Sequence, residues 1–254
     1  MENSNQIKYE RAEDLKRLSF IDSCLNSFEG KKLNVLDVGC GNGNISRYMG
    51  AKGHNVLGID ISQSTIEKAQ MLTTMQNVSF KNIAIEDLIA NSEFDIIICS
   101  EVIEHLDTPL VVVSSLKQLL SRNSILIITV PNGYGPRELF ITKPLQLLKR
   151  ETPKFYGFIN KFKKSLGFSG ATVQSDAENL THVQFFTKKS LCRLIGTNGL
   201  KLLSFKSSNF IEGVFPFSLF TRKNVRLQTI DCWIADQLPH QFASGFMSAW
   251  QLKK

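Results

Sequence analysis

The chain has 254 residues, enough for one large α/β domain with an insertion or for two small domains, and its hydrophobic share of 43% is sufficient for a proper core. No apolar run approaches the roughly 20 residues needed to span a bilayer, which excludes a transmembrane helix bundle. A net charge of +7 and a pI of about 9.1 leave nucleic acid, an anionic membrane or no particular partner open, so the location of the charge matters more than its sum. Five cysteines (Cys24, Cys40, Cys99, Cys192 and Cys232) form no C-x-x-C pair and make an odd count. They read as reduced thiols of a cytoplasmic protein, and the first thirty residues show no secretory pattern.

In chain order, apolar residues from Ile7 to Phe28 predict an amphipathic helix ahead of the first strand. Residues 32–38 read as strand 1, followed by Gly39, Gly41 and Gly43 and a helix over 44–52 that Gly53 stops. Strand 2 covers 55–60. A helix capped by Ser62 or Ser64 runs to about residue 75, strand 3 covers 78–83, and strand 4 covers 94–99 as a near-continuous apolar run. A helix opens at Pro109 and runs to 121, and strand 5 spans 124–130 before Pro131-Asn132-Gly133 stops it. This alternation implies a doubly wound parallel α/β sheet, whose ligands bind beyond the carboxyl ends of the strands. The glycine loop, Asp60, residues 84–87 and residues 100–105 all follow strand ends and converge on one rim.

After residue 133 the pattern changes. Two helical stretches, 139–148 and 155–166, are punctuated by Pro144 and Pro153, and residues 133–170 hold eight Lys/Arg against two Glu, a net of +6. Nearly all the excess positive charge therefore lies in one amphipathic insertion. A polar loop over 169–179, a helix over 187–196 capped by Thr187, strands over 200–205 and 245–252, and a helix over 225–237 complete the reading.

Three ligands compete for the glycine loop. A phosphate-gripping loop needs Gly-Lys-Ser/Thr, which Asn42-Gly43-Asn44 lacks. A dinucleotide fingerprint needs a third glycine where Asn44 stands. The acid at Asp37 ahead of the glycines disfavours a pyrophosphate and suits a cationic ligand. Together, Val35-Leu36-Asp37-Val38-Gly39-Cys40-Gly41-Asn42-Gly43 and Gly58-Ile59-Asp60-Ile61-Ser62 resemble class I S-adenosylmethionine-dependent methyltransferases. Phe94-Asp95-Ile96-Ile97-Ile98-Cys99-Ser100-Glu101-Val102-Ile103-Glu104-His105-Leu106 is similar to the subgroup containing the ubiquinone-biosynthesis O-methyltransferases, the methyltransferase type 11 group. The match is good over residues 33–131 and looser over 182–187.

The resemblance implies a Rossmann-like, mostly parallel seven-stranded sheet with a helical insertion after strand 5. It implies an N-terminal helical segment (1–30), a cofactor-binding half (31–132), a basic lid (133–180) and a C-terminal completion of the sheet (181–254). The implied cofactor is S-adenosyl-L-methionine. Gly39, Cys40, Gly41 and Gly43 would lie against it, Asp37 beside its ammonium end, Asp60 on the ribose hydroxyls and Ile61 on the adenine. Where the family often has an Asp after strand 3 this chain has Ala84, so adenine recognition would pass to Ile85 or Glu86. Ser100 and Glu101 would border the sulfonium. Glu104 and His105 are the first candidates for the base that takes a proton from an acceptor hydroxyl. His182 and Gln184 are further candidates, and His54 and His240 are remoter ones. No metal site is assigned.

A strand-4 motif for attack by an exocyclic amine is missing, as is a Pro-Cys pair, so nucleic acid is disfavoured as acceptor. A small-molecule, lipid, quinone-like or glycan acceptor is expected, and O-methylation with it. Residues 233–246 resemble methyltransferases associated with surface-sugar pathways, which keeps the glycan in play. Lys/Arg interleaved with Leu and Phe over 136–168 suggests peripheral contact with an anionic membrane at its inner face. A scaffold that binds the cofactor without transferring methyl groups, or an RNA methyltransferase, is the alternative. Oligomeric state is not encoded in any of these patterns.

Overall fold

The computed structural model describes residues 9–28, 30–88, 93–152, 157, 182–221 and 223–253. Strands β1 (Asn34–Val38), β2 (Asn55–Asp60), β3 (Val78–Asn82), β4 (Phe94–Ser100), β5 (Leu120–Pro131), β6 (Leu200–Ser207) and β7 (Gly245–Leu252) form one sheet in the order β3-β2-β1-β4-β5-β7-β6. Pairings from β3 through β5 are parallel, and β7 runs antiparallel to both β5 and β6. This is the doubly wound, seven-stranded sheet expected from the sequence. The strand order reverses at β1, so a crevice opens beyond the carboxyl ends of β1 and β4.

The period-two alternation of the central strands divides the core between the two faces. Leu36, Ile97, Cys99, Leu126 and Ile128 belong to one buried cluster, and Val35, Ile96, Ile98, Ile125 and Ile127 to the other. Helices α1 (Ala12–Leu25), α2 (Asn44–Ala51) and α3 (Gln63–Met71) supply Ile21, Met49 and Ile66 to the second cluster. Helices α4 (Pro109–Gln118) and α6 (Lys188–Thr197), the latter following α5 (Lys143–Glu151) of the insertion, supply Val113, Leu116, Leu191 and Ile195 to the first. Thr187 and Ser190 close a reciprocal capping box at the start of α6.

The structure moves some boundaries. β5 begins at Leu120, not 124, because Leu120 pairs with Phe94 before an irregularity that lets Ile125 meet Ile96. Ser124 spans that irregularity by donating its hydroxyl to the Phe94 carbonyl. The first insertion helix is a π-helical turn, Glu138–Thr142, running into α5 (Lys143–Glu151). Pro144 sits in the first turn of α5, where a missing N–H is tolerated. The second expected insertion helix, 155–166, and the polar loop 169–179 lie outside the described residues, residue 157 apart. A short helix α7 (Phe217–Thr221) was not anticipated; it precedes α8 (Val225–Gln237), which packs on α1. Among the described residues no helix is long and apolar enough to cross a membrane.

Candidate active site

At the end of β1 the chain turns through three glycines with φ of +65° (Gly39), +52° (Gly41) and +74° (Gly43), a region L side chains rarely adopt. A Cβ on Gly39 would also lie 2.4 Å from Val102 Cγ2, so the loop packs directly against the segment after β4. Arg47, buried in α2, donates to the Asn42 carbonyl and to Asn44 Oδ1, each at 2.6 Å, and fixes the loop from below. Asp37 is buried and accepts the Ser46 hydroxyl at 2.6 Å. Burial, with Asp60 nearby, pushes its carboxyl up to about 7 despite the Ser46 bond.

Asp60 ends β2 with its carboxylate half-buried. Oδ2 accepts the Gly41 N–H at 3.1 Å and Oδ1 the Ser62 N–H at 2.9 Å. A carboxylate offers about four acceptor sites, so room remains for two more donors. The neighbouring Ile61 is 79% exposed, an apolar side chain left uncovered at the rim. The turn after β3 reaches the same place through the Ile83 N–H, which donates to the Asp60 carbonyl. Of the two residues expected there, Ile85 turns its side chain into the core, leaving its backbone to serve, whereas Glu86 is exposed.

At the end of β4, Glu101 holds φ of +58°, a strained value for a residue with a Cβ. Three contacts impose it. Its N–H donates to the Thr129 carbonyl, its Oε1 accepts the Thr129 hydroxyl at 2.8 Å, and Arg17 of α1 stands 3.8 Å from the same oxygen. Because Thr129 gives its proton to Glu101, the Ser100 hydroxyl is the donor in the 2.8 Å Ser100–Thr129 bond. Burial opposes the charge on Arg17, but Glu101, Glu13 and Asp14 outweigh it and hold the guanidinium ionised. A small cavity beside Glu101 is lined by Arg17, Thr129, Arg137, Ser208 and Phe246.

Three residues on, a 3-10 turn (Ile103–His105) buries Glu104, 1% exposed, and neither carboxylate oxygen has a hydrogen-bond partner among the described residues. Burial first and Glu101 second raise its carboxyl well above the usual range. The Glu104 carbonyl accepts N–H bonds from both Val183 and Gln184, which docks the segment ahead of α6 onto this turn. His182 is thereby carried to His105, with ring centroids 5.1 Å apart. Behind it, His182 Nδ1 lies 3.2 Å from Oε1 of the buried Glu138, an ion pair when the imidazole is protonated. One ligating atom from each of Glu104, His105 and His182 falls within a 4.8 Å cluster, and two imidazoles with a carboxylate are a donor set that could hold a divalent cation.

The expected site residues therefore gather on one rim, with exceptions. Gln184 spends its amide on the carbonyls of Leu106 and Asp107 and acts as a tether. His54 accepts the Leu33 N–H at the opposite ends of β1 and β2, and His240 packs edge-on to Phe205 beyond β6, so neither belongs to the site. Glu138, Thr129 and Arg17 were missed by sequence reasoning. A charged residue spaced as if on the inward face of a helix was the one available signal, at Arg17.

A glycine loop between two strand-end acids, at the reversal point of a seven-stranded sheet, defines a nucleoside-binding α/β domain. The family model described as "Methyltransferase domain" matches residues 5–204, and the chain belongs to that family. It is 33% identical over 151 residues to the ubiquinone biosynthesis O-methyltransferase of Dechloromonas aromatica (strain RCB), covering 56% of this chain and 64% of that protein. It is 35% identical over 156 residues to the protein of the same name from Actinobacillus pleuropneumoniae serotype 7 (strain AP76), covering 58% and 66%. The chain thus spans slightly under two thirds of the length of these relatives. Its fold is shared with the 1,6-didemethyltoxoflavin-N1-methyltransferase of Burkholderia thailandensis, solved with S-adenosylhomocysteine (TM-score 0.56, 14% identity, 96% of this chain and 80% of that one). It is also shared with the magnesium protoporphyrin IX methyltransferase of Synechocystis PCC 6803 (TM-score 0.53, 16% identity, 94% and 84%).

Proposed function

We propose that this protein transfers the methyl group of S-adenosyl-L-methionine to an oxygen of a small-molecule, lipid, quinone-like or glycan acceptor. The observation that carries the reading is the juxtaposition of the Asp60-gripped glycine loop with the cluster of buried Glu104 and half-buried His105 and His182 across one crevice. The residues fit the cofactor. Asp60 has acceptor capacity for two ribose hydroxyls, and Ile61 offers an uncovered apolar face for a planar base. Asp37, its carboxyl raised by burial, is the acid we assign to the ammonium group, which would draw it into its ionised form. The cofactor supplies a methyl carbon activated by a positive sulfur. The chain's own residues align the acceptor, exclude water and accept its proton.

His105 is the group we assign to receive that proton, with Glu104 and His182 positioning it. Glu101, locked by Thr129 and Arg17, forms the wall between donor and acceptor sides. In a second form of this reading, favoured by Glu104 oxygens that have no hydrogen bond among the described residues, Glu104, His105 and His182 would hold a divalent cation, which would supply Lewis-acid activation of the acceptor oxygen. The basic insertion, 136–168, is the element we assign as a lid and as a contact with an anionic membrane.

The test incubates the protein with methyl-labelled donor and fractionated lipid, quinol, glycan and RNA extracts, with and without chelator. Label is expected in a lipid, quinol or glycan fraction. Label in RNA alone, or cofactor binding without any transfer, overturns the reading. Activity lost on chelation and restored by a divalent ion selects the cation-assisted form.

A further inference from the structure

Helix α8 is amphipathic in the reverse sense. Its buried face carries Gln228 and Asp231 along with Cys232 and Ala235. Those polar groups serve the fold. Gln228 accepts the Ala12 N–H at the start of α1 and donates to the Thr221 carbonyl, and Asp231 accepts the N–H groups of Phe210 and Ile211. The outward face instead presents Leu227, Ile230 and Trp233, spaced three residues apart and 39%, 52% and 62% exposed. A surface helix ordinarily turns its polar side to water. The preceding segment adds Phe215, Phe217 and Phe220 at 63%, 50% and 69% exposure. Large apolar side chains concentrated on one surface mark a place where something binds.

Charge narrows what binds. The described residues of 213–230 include the exposed Lys223 and Arg226 and no carboxylate, while the flanking Glu212 and Asp231 are buried. A twofold pairing of two copies through this face would set these cations against themselves. With Asp236, the next exposed residue of the stripe, paired to Lys16 at 2.8 Å, a surface of Phe, Trp, Leu, Lys and Arg matches instead the boundary layer of an anionic bilayer. There aromatic rings lie between acyl chains and headgroups, and basic side chains meet phosphates. The face also adjoins the acceptor side. The Arg137 side chain passes 3.5 Å from where a Cβ on Gly213 would stand, and Arg137 lines the cavity beside Glu101.

We propose that the surface formed by residues 215–233 docks on an anionic membrane and holds the acceptor-side cavity close to the lipid. The docking goes beyond the methyl-transfer reading and stands without it, whereas the part given to the acceptor-side cavity rests on that reading. It also differs from contact through the insertion.

The chain's two tryptophans make the test direct, since Trp250 is 1% exposed and Trp233 is the one that can change surroundings. The full chain is mixed with phosphatidylcholine vesicles with or without phosphatidylglycerol, at low and high salt. Emission and co-sedimentation are both recorded. With phosphatidylglycerol at low salt, the wild type is expected to co-sediment, with Trp emission shifted to the blue and quenched by brominated lipid. Trp233→Ser with Phe220→Ser, and separately Lys223→Glu with Arg226→Glu, are expected to lower vesicle partitioning at least about tenfold. Unmoved wild-type emission with the protein left in the supernatant overturns the proposal. So does binding abolished by Lys149→Glu with Arg150→Glu in α5 but untouched by the Trp233/Phe220 change. A dimer in sedimentation that the Trp233/Phe220 change dissociates, without vesicle binding, makes the face a contact between copies and overturns it too.

Discussion

Replacing Asp37 by Asn should stabilise the cofactor-free protein while weakening cofactor binding. Asp37 is 2% exposed and its Oδ2 accepts the Ser46 hydroxyl at 2.6 Å, a bond an Asn carbonyl oxygen can also accept. Burial raises its carboxyl from 3.8 to about 7 on folding. Below about pH 3 the group is protonated in both states and exerts no penalty. As pH rises from about 4 to about 7, the unfolded chain releases a proton that the folded chain retains, so folding stability falls. The full loss above pH 7 is at most about 4 kcal/mol, at about 1.4 kcal/mol for each tenfold displacement of the proton equilibrium. The Asn variant escapes that loss. Urea unfolding of both proteins between about pH 3 and about pH 8 should show curves that converge toward the acid end and diverge above about pH 4, the variant being the more stable. Titration with S-adenosylhomocysteine should show at least about tenfold weaker binding to the variant, about 1.4 kcal/mol. Wild-type binding should strengthen as pH rises toward 8, because the ligand's ammonium favours the ionised carboxylate. Parallel unfolding curves, or a variant less stable at pH 8, would refute the reasoning.

Gly39→Ala places a methyl 2.4 Å from Val102 Cγ2 on a backbone at φ +65°. Left-handed strain alone is about 1–2 kcal/mol, so thermal denaturation should fall and cofactor affinity with it. Arg17→Met strips Glu101 and Asp14 of their buried cation and should destabilise by about 3–5 kcal/mol in chemical denaturation. His105→Ala should lower turnover with labelled donor at least about tenfold while S-adenosylhomocysteine still raises the melting temperature. Unchanged turnover removes His105 from the mechanism.

The cofactor half was legible because its signals are local. A strand, a glycine loop and a helix follow one another from Asn34 to Ala51, and the second acid ends the next strand, so spacing alone specifies the crevice. The strained Glu101 was named as a site residue, but its conformation was not foreseeable. Thr129 and Arg17 impose it, and they reach it from β5 and from α1. Glu138 and His182 meet because two backbone bonds to the Glu104 carbonyl dock residues 183 and 184, a tertiary contact with no sequence period behind it. The outward apolar face of α8 was hidden for a related reason. Its periodicity reads as an ordinary helix until the structure reveals that Gln228 and Asp231 are the residues turned inward.

Strand β7 lies between β5 and β6 although it follows both in the sequence. Until β7 is made, β5 has one open edge, a row of amide and carbonyl groups, and β6, which pairs with β7 alone, has no neighbouring strand. Residues 245–252 pair antiparallel with both strands and carry the buried Phe246 and Trp250 into the core. A nascent chain halted before that point has two strand edges ready to pair with another molecule. Premature stops in this stretch should therefore yield aggregates during translation, not a soluble but weakened protein.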